Sequence, residues 1–294
     1  MSSQDRMMST LHNPHAPFPP ALQAAFDAHI DQALAEDVGT GDITGLLIPE
    51  DLVKTARVIV REAAVLCGAP WFEEVMRRVD SRIVLDWCYA EGDWMEPGAV
   101  VCRLHGPARG LLTAERTALN FLQLFSGVAT ATRQYAELVT GTRAAVLDTR
   151  KTLPGLRLGQ KYAVRVGGGK NQRLALYDGV LIKENHIAAA GGIAHVLQAA
   201  DNLPGSVPVQ IEVESLDEFQ QALAAGAKSV LLDNFPLEDL REAVRLNQDR
   251  AVLEASGGIT HGTVRAIAQT GVDRISVGSL TKDIKAVDYS LRIM

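Results

Sequence analysis

The sequence predicts an α/β protein in which a small α+β domain precedes an incomplete parallel α/β barrel. Two patterns predict this fold. Strand-like runs with one helix between them occupy the N-terminal third, and short apolar runs alternate with amphipathic segments in the second half. Such alternation indicates parallel strands joined by right-handed crossovers. Polar residues close the successive runs, which is typical of a barrel whose site lies at the carboxyl ends of its strands.

The N-terminal domain is expected over residues 21–118. It follows a polar, proline-rich stretch, residues 1–20, that is predicted to be a mobile arm. A helical spacing of apolar residues starts the domain and ends at Glu36, before a turn-rich segment. Four strand-like runs with one helix among them then indicate an antiparallel sheet with helices on one side. The runs cover residues 56–60, 65–67, 82–88 and 100–104, and the helix covers residues 71–79.

The barrel is expected over residues 119–284. A helical stretch from Thr113 to Leu138 leads into it, as one long helix or as two abutting helices. Fewer than eight strands can be counted after that stretch, so we expect an open or incomplete barrel. The predicted strands lie at residues 145–147, 180–182, 209–213, 230–232, 252–253 and 275–277.

Composition and charge argue against several classes of protein. The chain has 294 residues and a formal net charge of -6. Its hydrophobic content of 47% is typical of an ordinary α/β enzyme. General nucleic-acid binding requires a broad basic surface, and a pI near 5.7 argues against it. No apolar run is long enough to span a bilayer. The three cysteines are scattered, so we expect reduced thiols in a cytoplasmic protein.

One segment reverses the sign of the charge. Between Arg143 and Lys183 there are nine bases and two acids. Such a reversal in an acidic protein indicates a site for a small polyanion. Arg150 and Arg173 are each able to bind a carboxylate through two hydrogen bonds. Lys183 ends a short apolar strand, where it is a candidate for a Schiff-base former, an anion ligand or the partner of a carboxylate.

Glycines follow the last two predicted strands, in the runs Ser256-Gly257-Gly258 and Val277-Gly278-Ser279. Glycine lets a phosphate reach backbone N–H groups, and the N-terminus of the next helix favours negative charge. Barrel enzymes often hold phosphate at this place. The two runs therefore predict a phosphate site, with a pair of tight turns as the alternative.

Two carboxylates, Glu212 and Asp233, lie on consecutive predicted strands. Carboxylates beside bound phosphates suit Mg²⁺, which takes one or two of them together with phosphate oxygens. The alternative is an ion pair with Lys183 or Lys151, and both roles are compatible. These residues therefore predict a Mg²⁺ site next to the phosphates.

Several sequence blocks also match those of a known family in order and spacing. The most specific are DTRKTL at residues 148–153 and LIKENH at residues 181–186. The other blocks are TAERTALN at 113–120, Glu212, LDNF at 232–235, SGG at 256–258 and ISVGSLT at 275–281. In these blocks, and over nearly the whole chain after about Ala21, the sequence resembles quinolinate phosphoribosyltransferase.

The resemblance implies a fold and a reaction. It implies a type II phosphoribosyltransferase-like fold, with an N-terminal α/β sandwich that the C-terminal tail, residues 285–294, completes. The subunits are expected to form a homodimer or a multiple of dimers. The reaction joins quinolinate to phosphoribosyl pyrophosphate and gives nicotinate mononucleotide, pyrophosphate and CO₂, as a step of NAD biosynthesis. It requires Mg²⁺ and no organic cofactor, and no nucleic acid or membrane takes part.

The resemblance also implies roles for individual residues. Lys183, Glu212 and Asp233 are expected to be catalytic, and the two carboxylates are expected to hold Mg²⁺. Arg116 is expected to reach into the active site of a partner subunit. The other expected substrate-binding residues, together with Lys183, are Thr149, Arg150, Lys151, Gln172, Arg173, Ser256, Gly257, Gly258, Val277, Gly278 and Ser279.

One position departs from the family pattern. The residue before Arg173 is commonly histidine in the family, and here it is Gln172. The glutamine amide donates hydrogen bonds but does not transfer a proton at neutral pH. We therefore expect a neutral hydrogen bond from this residue and no acid–base catalysis.

Three other functions are compatible with some of these patterns. A related phosphoribosyltransferase-like enzyme would take another aromatic acid, although the arginines and Lys183 together favour a dicarboxylate. A Schiff-base aldolase would use Lys183 as its nucleophile. A polyanion-sensing regulatory protein would need the basic segment but no catalytic carboxylates.

Overall fold

The computed structural model describes residues 10–204 and 207–294, and the chain divides into two compact units. The first unit contains the described part of Met1–Ala131 together with Leu153–Gly167 and Ile284–Met294, and the second contains Thr132–Thr152 and Gly168–Asp283. The division falls after Ala131, whereas the sequence predicts a boundary after residue 118. Both positions lie within one uninterrupted helix of 31 residues, Ala108–Leu138.

The regular elements alternate as the hydrophobic pattern predicts. In chain order they are α1 (Pro20–Asp37), β1 (Val53–Val60), β2 (Ala64–Val65), α2 (Ala69–Val79), β3 (Val84–Trp87), β4 (Trp94–Met95), β5 (Val100–Pro107), α3 (Ala108–Leu138), β6 (Ala145–Leu147), α4 (Arg157–Val166), β7 (Val180–Ile182), α5 (Glu184–Ala190), α6 (Ile193–Asp201), β8 (Val209–Val213), α7 (Leu216–Ala224), β9 (Ser229–Asp233), α8 (Leu237–Asn247), β10 (Val252–Ser256), α9 (His261–Ala268), β11 (Arg274–Ser276), α10 (Ser279–Lys282) and β12 (Tyr289–Ile293).

The first unit is built on a four-stranded antiparallel sheet in the order β12-β1-β5-β3. The predicted run at residues 65–67 does not join this sheet, because β2 pairs instead with β4 in a separate two-stranded ribbon. The C-terminal tail completes the sheet as predicted, since β12 pairs with β1 from Ala56–Ile293 to Val60–Tyr289. Trp71, Phe72 and Phe125 are fully buried in the core of this unit.

The stretch before α1 is packed, which corrects the prediction of a mobile arm for residues 10–20. Leu11 and Phe18 pack against the core of the first unit, and the Phe18 ring lies 5.5 Å from that of Trp71. The backbone oxygen of His12 accepts a hydrogen bond from the Glu91 N–H group at 3.0 Å. Two apolar side chains among the polar residues are enough to hold this stretch. The rest of the predicted arm, residues 1–9, lies outside the described residues.

The second unit is built on six parallel strands in the order β6-β11-β10-β9-β8-β7. Each lies where the apolar runs predict it. From β7 to β11, each strand pairs with the next strand in the chain, and β11 pairs with β6, as in a barrel. The strands β6 and β7 form the two edges of the sheet and do not pair with each other. The barrel is therefore incomplete, and its gap lies between its first two strands. Lys170 forms an isolated bridge to Leu147 on the open edge of β6.

No helix in residues 10–204 or 207–294 combines the length and the apolar character that a bilayer crossing requires.

Candidate active site

The polar residues that close the barrel strands meet at one edge of the sheet. Parallel pairing sets Ser256 on β10 beside Asp233 on β9, and Glu212 on β8 beside Leu231. Because all six strands run the same way, their carboxyl ends surround a single cavity of about 220 Å³. Its lining consists of Thr149, Arg150, Lys151, Gln172, Arg173, Leu181, Lys183, Glu212, Leu231, Asp233, Ser256 and Ser276.

An ion pair occupies one wall of this cavity. The Nζ atom of Lys183, at the end of β7, lies 2.8 Å and 2.7 Å from the two carboxylate oxygens of Glu212. Strand pairing fixes this contact, because Ile182 pairs with Ile211 immediately before the two charged residues. The Glu212 side chain is 11% exposed and that of Lys183 is 44% exposed. The ammonium group is therefore held in place but open to a ligand.

Two further cations lie beside this ion pair. Burial lowers the pKa of the Arg173 guanidinium, and the nearby charge of Arg150 lowers it further. The Nη1 atom of Arg173 donates to the backbone oxygen of Gly179 at 3.0 Å, whereas its buried Nε atom has no hydrogen-bond partner among the described residues. Two neighbouring guanidinium groups repel each other, and an anion bound between them would relieve that repulsion.

Close contacts at the ends of β9 and β10 require glycine at position 257. Asn234 has a positive φ of 57°, and its N–H group donates to the backbone oxygen of Ser256 at 2.9 Å. A Cβ atom on Gly257 would lie 2.1 Å from Asn234 Oδ1 and 2.9 Å from the Asn234 backbone nitrogen. Position 257 therefore has no room for a side chain of its own, because Asn234 occupies that space.

A second turn lies at the end of β11. A Cβ atom on Gly278 would lie 3.4 Å from Lys151 Cδ and 3.8 Å from Thr149 Oγ1. Thr281, in α10, donates to the backbone oxygen of Lys151 at 2.8 Å. The loop that carries Thr149 and Lys151 is thus held against this glycine turn.

A hydrogen-bonded network that the sequence did not reveal forms the floor of the cavity. Glu254, in the middle of β10, is fully buried and accepts hydrogen bonds from Gln210 Nε2 at 2.9 Å and from the Ser276 hydroxyl. Gln172 Nε2 donates to Gln210 Oε1 at 3.0 Å and, over a longer 3.4 Å, to Glu254 Oε1. Because a carboxylate only accepts hydrogen bonds, Glu254 fixes the orientation of both amides.

The network refines the prediction for Gln172. The side-chain amide of Gln172 already donates to Gln210 and Glu254. A substrate in the cavity would therefore contact an amide whose N–H groups are engaged in hydrogen bonds. The signal for Gln210 was the period of two in β8, which places it on the same face as Glu212. Glu254 was visible only as one polar residue at a strand end.

We predict that Gln172→His keeps activity within about tenfold of the wild type and adds a pH dependence. The imidazole of the variant would add a titrating group, so a new transition should appear near the ordinary histidine pKa of about 6.5. The pH profile of kcat/KM for Gln172→His checks this, with Gln172→Met as the control that removes the hydrogen bonds without adding a titrating group. A wild-type pH profile in Gln172→His, or complete loss of its activity, would contradict the assignment.

Not all predicted residues line this cavity. Gly257, Gly258, Val277, Gly278 and Ser279 belong to the turns beside it and contribute backbone rather than side chains. Arg116 is exposed on α3 and belongs to the first unit.

The surroundings of Glu212 and Asp233 determine whether these carboxylates fit Mg²⁺. In the described part of the chain, no group of three or more His, Cys, Asp and Glu side chains is placed to hold a metal ion. Mg²⁺ that binds with phosphates needs only one or two protein carboxylates. Asp233 fits this role, since among the described residues only Asn234 hydrogen-bonds it, through Oδ2 at 2.7 Å. Both oxygens of Glu212 accept from Lys183, so Glu212 would share a metal with that ion pair.

Comparison with known proteins agrees with this architecture. Residues 42–126 match the family described as "Quinolinate phosphoribosyl transferase, N-terminal domain", and residues 128–292 match the corresponding C-terminal domain. The probable nicotinate-nucleotide pyrophosphorylase [carboxylating] of Bacillus subtilis is 39% identical over 88% of this chain and 90% of its own length. The Mycobacterium leprae nicotinate-nucleotide pyrophosphorylase [carboxylating] is 42% identical over 90% of this chain and 97% of its own length.

The fold comparison gives the same result. The structure of the nicotinate-nucleotide pyrophosphorylase from Francisella tularensis superposes with a TM-score of 0.90 and 46% identity, over 95% of this chain and 98% of that chain. The sequence blocks, the two matching domains and the superposition all lead to one conclusion. The chain belongs to the quinolinate phosphoribosyltransferase family.

Proposed function

We propose that this chain transfers the phosphoribosyl group of phosphoribosyl pyrophosphate to quinolinate, with loss of CO₂, in NAD biosynthesis. One observation of the molecule carries the proposal. A single small cavity brings two carboxylates, Glu212 and Asp233, together with four cations, which are Arg150, Lys151, Arg173 and Lys183. The cations suit a dianionic acceptor, and the carboxylates suit the cationic character that develops on ribose when pyrophosphate leaves.

Quinolinate would bind to the cationic side of the cavity. Its two carboxylates are matched by the half-buried guanidinium groups of Arg150 and Arg173 and by the ammonium group of Lys183. Charge-assisted hydrogen bonds of this kind contribute roughly 1.5–3 kcal/mol each. The ion pair between Lys183 and Glu212 orients the ammonium group before the substrate arrives, so little ordering of this side chain is lost on binding.

The phosphoribosyl half would bind to the side formed by β9, β10 and β11. The backbone N–H groups of Gly257 and Gly278 would bind the 5′-phosphate, and Lys151 lies beside the second of these glycines. Asp233, with Glu212, would hold Mg²⁺ that binds with the pyrophosphate. When bound, the metal would neutralise charge on the departing pyrophosphate.

The proposed chemistry requires no organic cofactor. The bond from ribose C1 to pyrophosphate breaks, and the quinolinate ring nitrogen forms a new bond to C1. The resulting pyridinium nitrogen stabilises the electron pair that remains at C2 when the bond to the carboxylate carbon breaks. A proton then adds at C2, so the products are nicotinate mononucleotide, pyrophosphate and CO₂.

Product analysis tests the choice of acceptor. Purified protein should form nicotinate mononucleotide and pyrophosphate in equal amounts from quinolinate, and little or none from nicotinate, which lacks the 2-carboxylate. Faster turnover of nicotinate, or of another aromatic acid, would favour the related phosphoribosyltransferase-like function instead.

The aldolase function has no structural observation in its favour. A Schiff base needs a lysine amine that is free to attack a carbonyl carbon, and the Nζ atom of Lys183 is instead held by both oxygens of the Glu212 carboxylate. Borohydride should therefore trap no adduct on Lys183 with carbonyl substrates.

We predict that Asp233→Ala leaves quinolinate binding within about twofold of the wild type while turnover falls at least about a hundredfold. Asp233 belongs to the phosphoribosyl side, so its loss should act on the catalytic step and on the Mg²⁺ dependence. Calorimetry with quinolinate and a Mg²⁺ titration of the rate check this, with the exposed Glu238→Ala as the matched control. Wild-type rate and Mg²⁺ dependence in Asp233→Ala would contradict the role. Glu212→Ala is a less clean test, because it also leaves Lys183 without its partner.

The proposed active unit is a homodimer in which Arg116 acts on the partner's site. Arg116 is exposed, and its side chain has no hydrogen bond or ion pair among the described residues. The same unit exposes large apolar side chains, since Ile43 is 83% exposed and Leu47 is 80% exposed. Apolar area of this kind is typical of a subunit interface. A two-fold dimer would supply Arg116 to both sites symmetrically.

A cytoplasmic location is also proposed. Cys67, Cys88 and Cys102 are all free thiols, as they would be in a reducing compartment. Cell fractionation followed by detection of the protein tests this location.

A further inference from the structure

The barrel contains a second cavity, at the opposite ends of the strands from the candidate active site. It has a volume of about 530 Å³ and is lined by the first residues of β7, β8, β9 and β11 and by the segment from Asn171 to Leu174. A volume of this size is within the range of sites for small ligands. All lining residues belong to the second unit.

The cavity exists because the lowest layer of the barrel interior is not filled. Ser229, Leu231 and Asp233 share one face of β9, and the last two line the candidate active site, so Ser229 points into the barrel one layer below. On β11, Arg274 and Ser276 also share one face; Ser276 lines the candidate active site, so Arg274 points into the barrel one layer closer to the amino ends of the strands. Barrel interiors are normally filled by branched apolar side chains. Here a serine, an arginine and Gly179 line this end.

The charged side chains of the lining are mainly cationic. In the described part of the chain, neither Lys228 nor the half-buried Arg274 has a side-chain hydrogen bond or an ion pair. The hydroxyl of Ser229 is buried and has no hydrogen-bond partner there either. The only acid in the lining is Asp178, whose oxygens accept from the N–H groups of Leu174 and Ala175, both at 2.7 Å.

Arg173 joins this cavity to the candidate active site, because it lines both. Its buried Nε atom has no hydrogen-bond partner among the described residues. Gln172 also lines both cavities and belongs to the network that forms the floor between them. A charge placed in the second cavity would therefore act on a residue that is proposed to bind quinolinate.

We infer that the second cavity is a binding site for a small tetrahedral oxyanion such as inorganic phosphate, and that its occupancy weakens quinolinate binding through Arg173. Donors converge from β9, β11 and the segment around Arg173, which suits a tetrahedral ligand better than a planar carboxylate. The anion neutralises Lys228 and Arg274 and attracts the Arg173 guanidinium away from its proposed substrate. The coupling is reciprocal, so quinolinate weakens the binding of the oxyanion by the same factor. The coupling, but not the binding site, rests on the proposed function.

Crystals soaked in selenate test the site directly, without any substrate. The wild type should show an anomalous peak within hydrogen-bond distance of Lys228 and Arg274. The double variant Lys228→Gln/Arg274→Gln should lose that peak, and the control Arg241→Gln/Arg245→Gln, with the same change of charge on α8, should keep it. If selenate binds the wild type only at the carboxyl ends of the strands, the site does not exist.

Calorimetry tests the coupling. Saturating phosphate should raise the quinolinate dissociation constant several-fold in the wild type and in the α8 control, and distinctly less in Lys228→Gln/Arg274→Gln. An equal effect of phosphate on all three proteins would overturn the coupling, since competition at the active site alone would then explain it. Absence of any quinolinate binding would instead refute the proposed function and leave the selenate result standing.

Discussion

Arg173→Ala should weaken quinolinate binding by tens-fold to about a thousand-fold, on the order of 2–4 kcal/mol. The substrate carboxylate would lose a charge-assisted partner in a half-buried place where water does not fully replace it. Asp178 and Glu212 both act electrostatically on Arg173. Each keeps other partners when Arg173 is truncated, because backbone N–H groups donate to Asp178 and Lys183 pairs with Glu212. The loss should therefore appear in binding rather than in stability. Calorimetry with quinolinate alone measures it.

The matched control is Arg241→Ala, which removes an exposed arginine from a surface ion pair with Glu238 on α8. Surface pairs of this kind contribute about 0–1 kcal/mol, so quinolinate binding should not change. An unchanged dissociation constant in Arg173→Ala as well would place this residue outside the quinolinate site.

Arg116→Ala and Lys183→Ala should each be nearly inactive alone and should restore activity when their subunits are mixed. In a mixed dimer, one barrel keeps its own Lys183 and receives an intact Arg116 from its partner. The other site carries both defects. Random exchange makes about half of the dimers mixed, so activity should recover to roughly a quarter of the wild type.

The control for this experiment is a mixture of Lys183→Ala with Arg173→Ala. Both residues line the same cavity of one chain, so no exchange of subunits rebuilds an intact site. After the same dissociation and reassembly, this mixture should show no more activity than the two variants show separately. If subunits exchange and the Arg116→Ala mixture also stays inactive, Arg116 acts within its own chain or only on the fold.

The barrel could be predicted from the sequence because its signals are local. Each strand is a short apolar run that a polar residue closes, and all six lie where those runs predict them. The carboxyl-end residues then follow from geometry, since parallel strands end at one edge. Lys183 and Glu212 were candidates for an ion pair on this ground alone, and their atoms lie 2.7 Å apart.

Features that depend on distant packing could not be predicted. The helix α4 follows a barrel strand in sequence, yet it belongs to the first unit, whose core buries Tyr162 and Ala163. Leu11 and Phe18 looked like isolated apolar residues in a polar stretch, and only the core of the first unit gives them contacts. Local periodicity says which face of an element is apolar, but it does not say which core covers that face.

The buried Glu254 shows the same limit within the site. A carboxylate in the middle of a strand is stable there only because Gln210, Gln172 and Ser276 donate to it, and these come from three other parts of the chain. Spacing along the sequence does not reveal such a network. Its effect on Gln172, the position where this chain departs from the family pattern, depends on contacts that only the folded chain makes.

Release of labelled CO₂ from quinolinate that carries ¹³C in its 2-carboxylate measures the proposed reaction itself. One CO₂ should appear for each pyrophosphate formed, only when phosphoribosyl pyrophosphate and Mg²⁺ are both present, and Lys183→Ala should release none. Release without phosphoribosyl pyrophosphate, or pyrophosphate formation without CO₂, would contradict the proposed reaction.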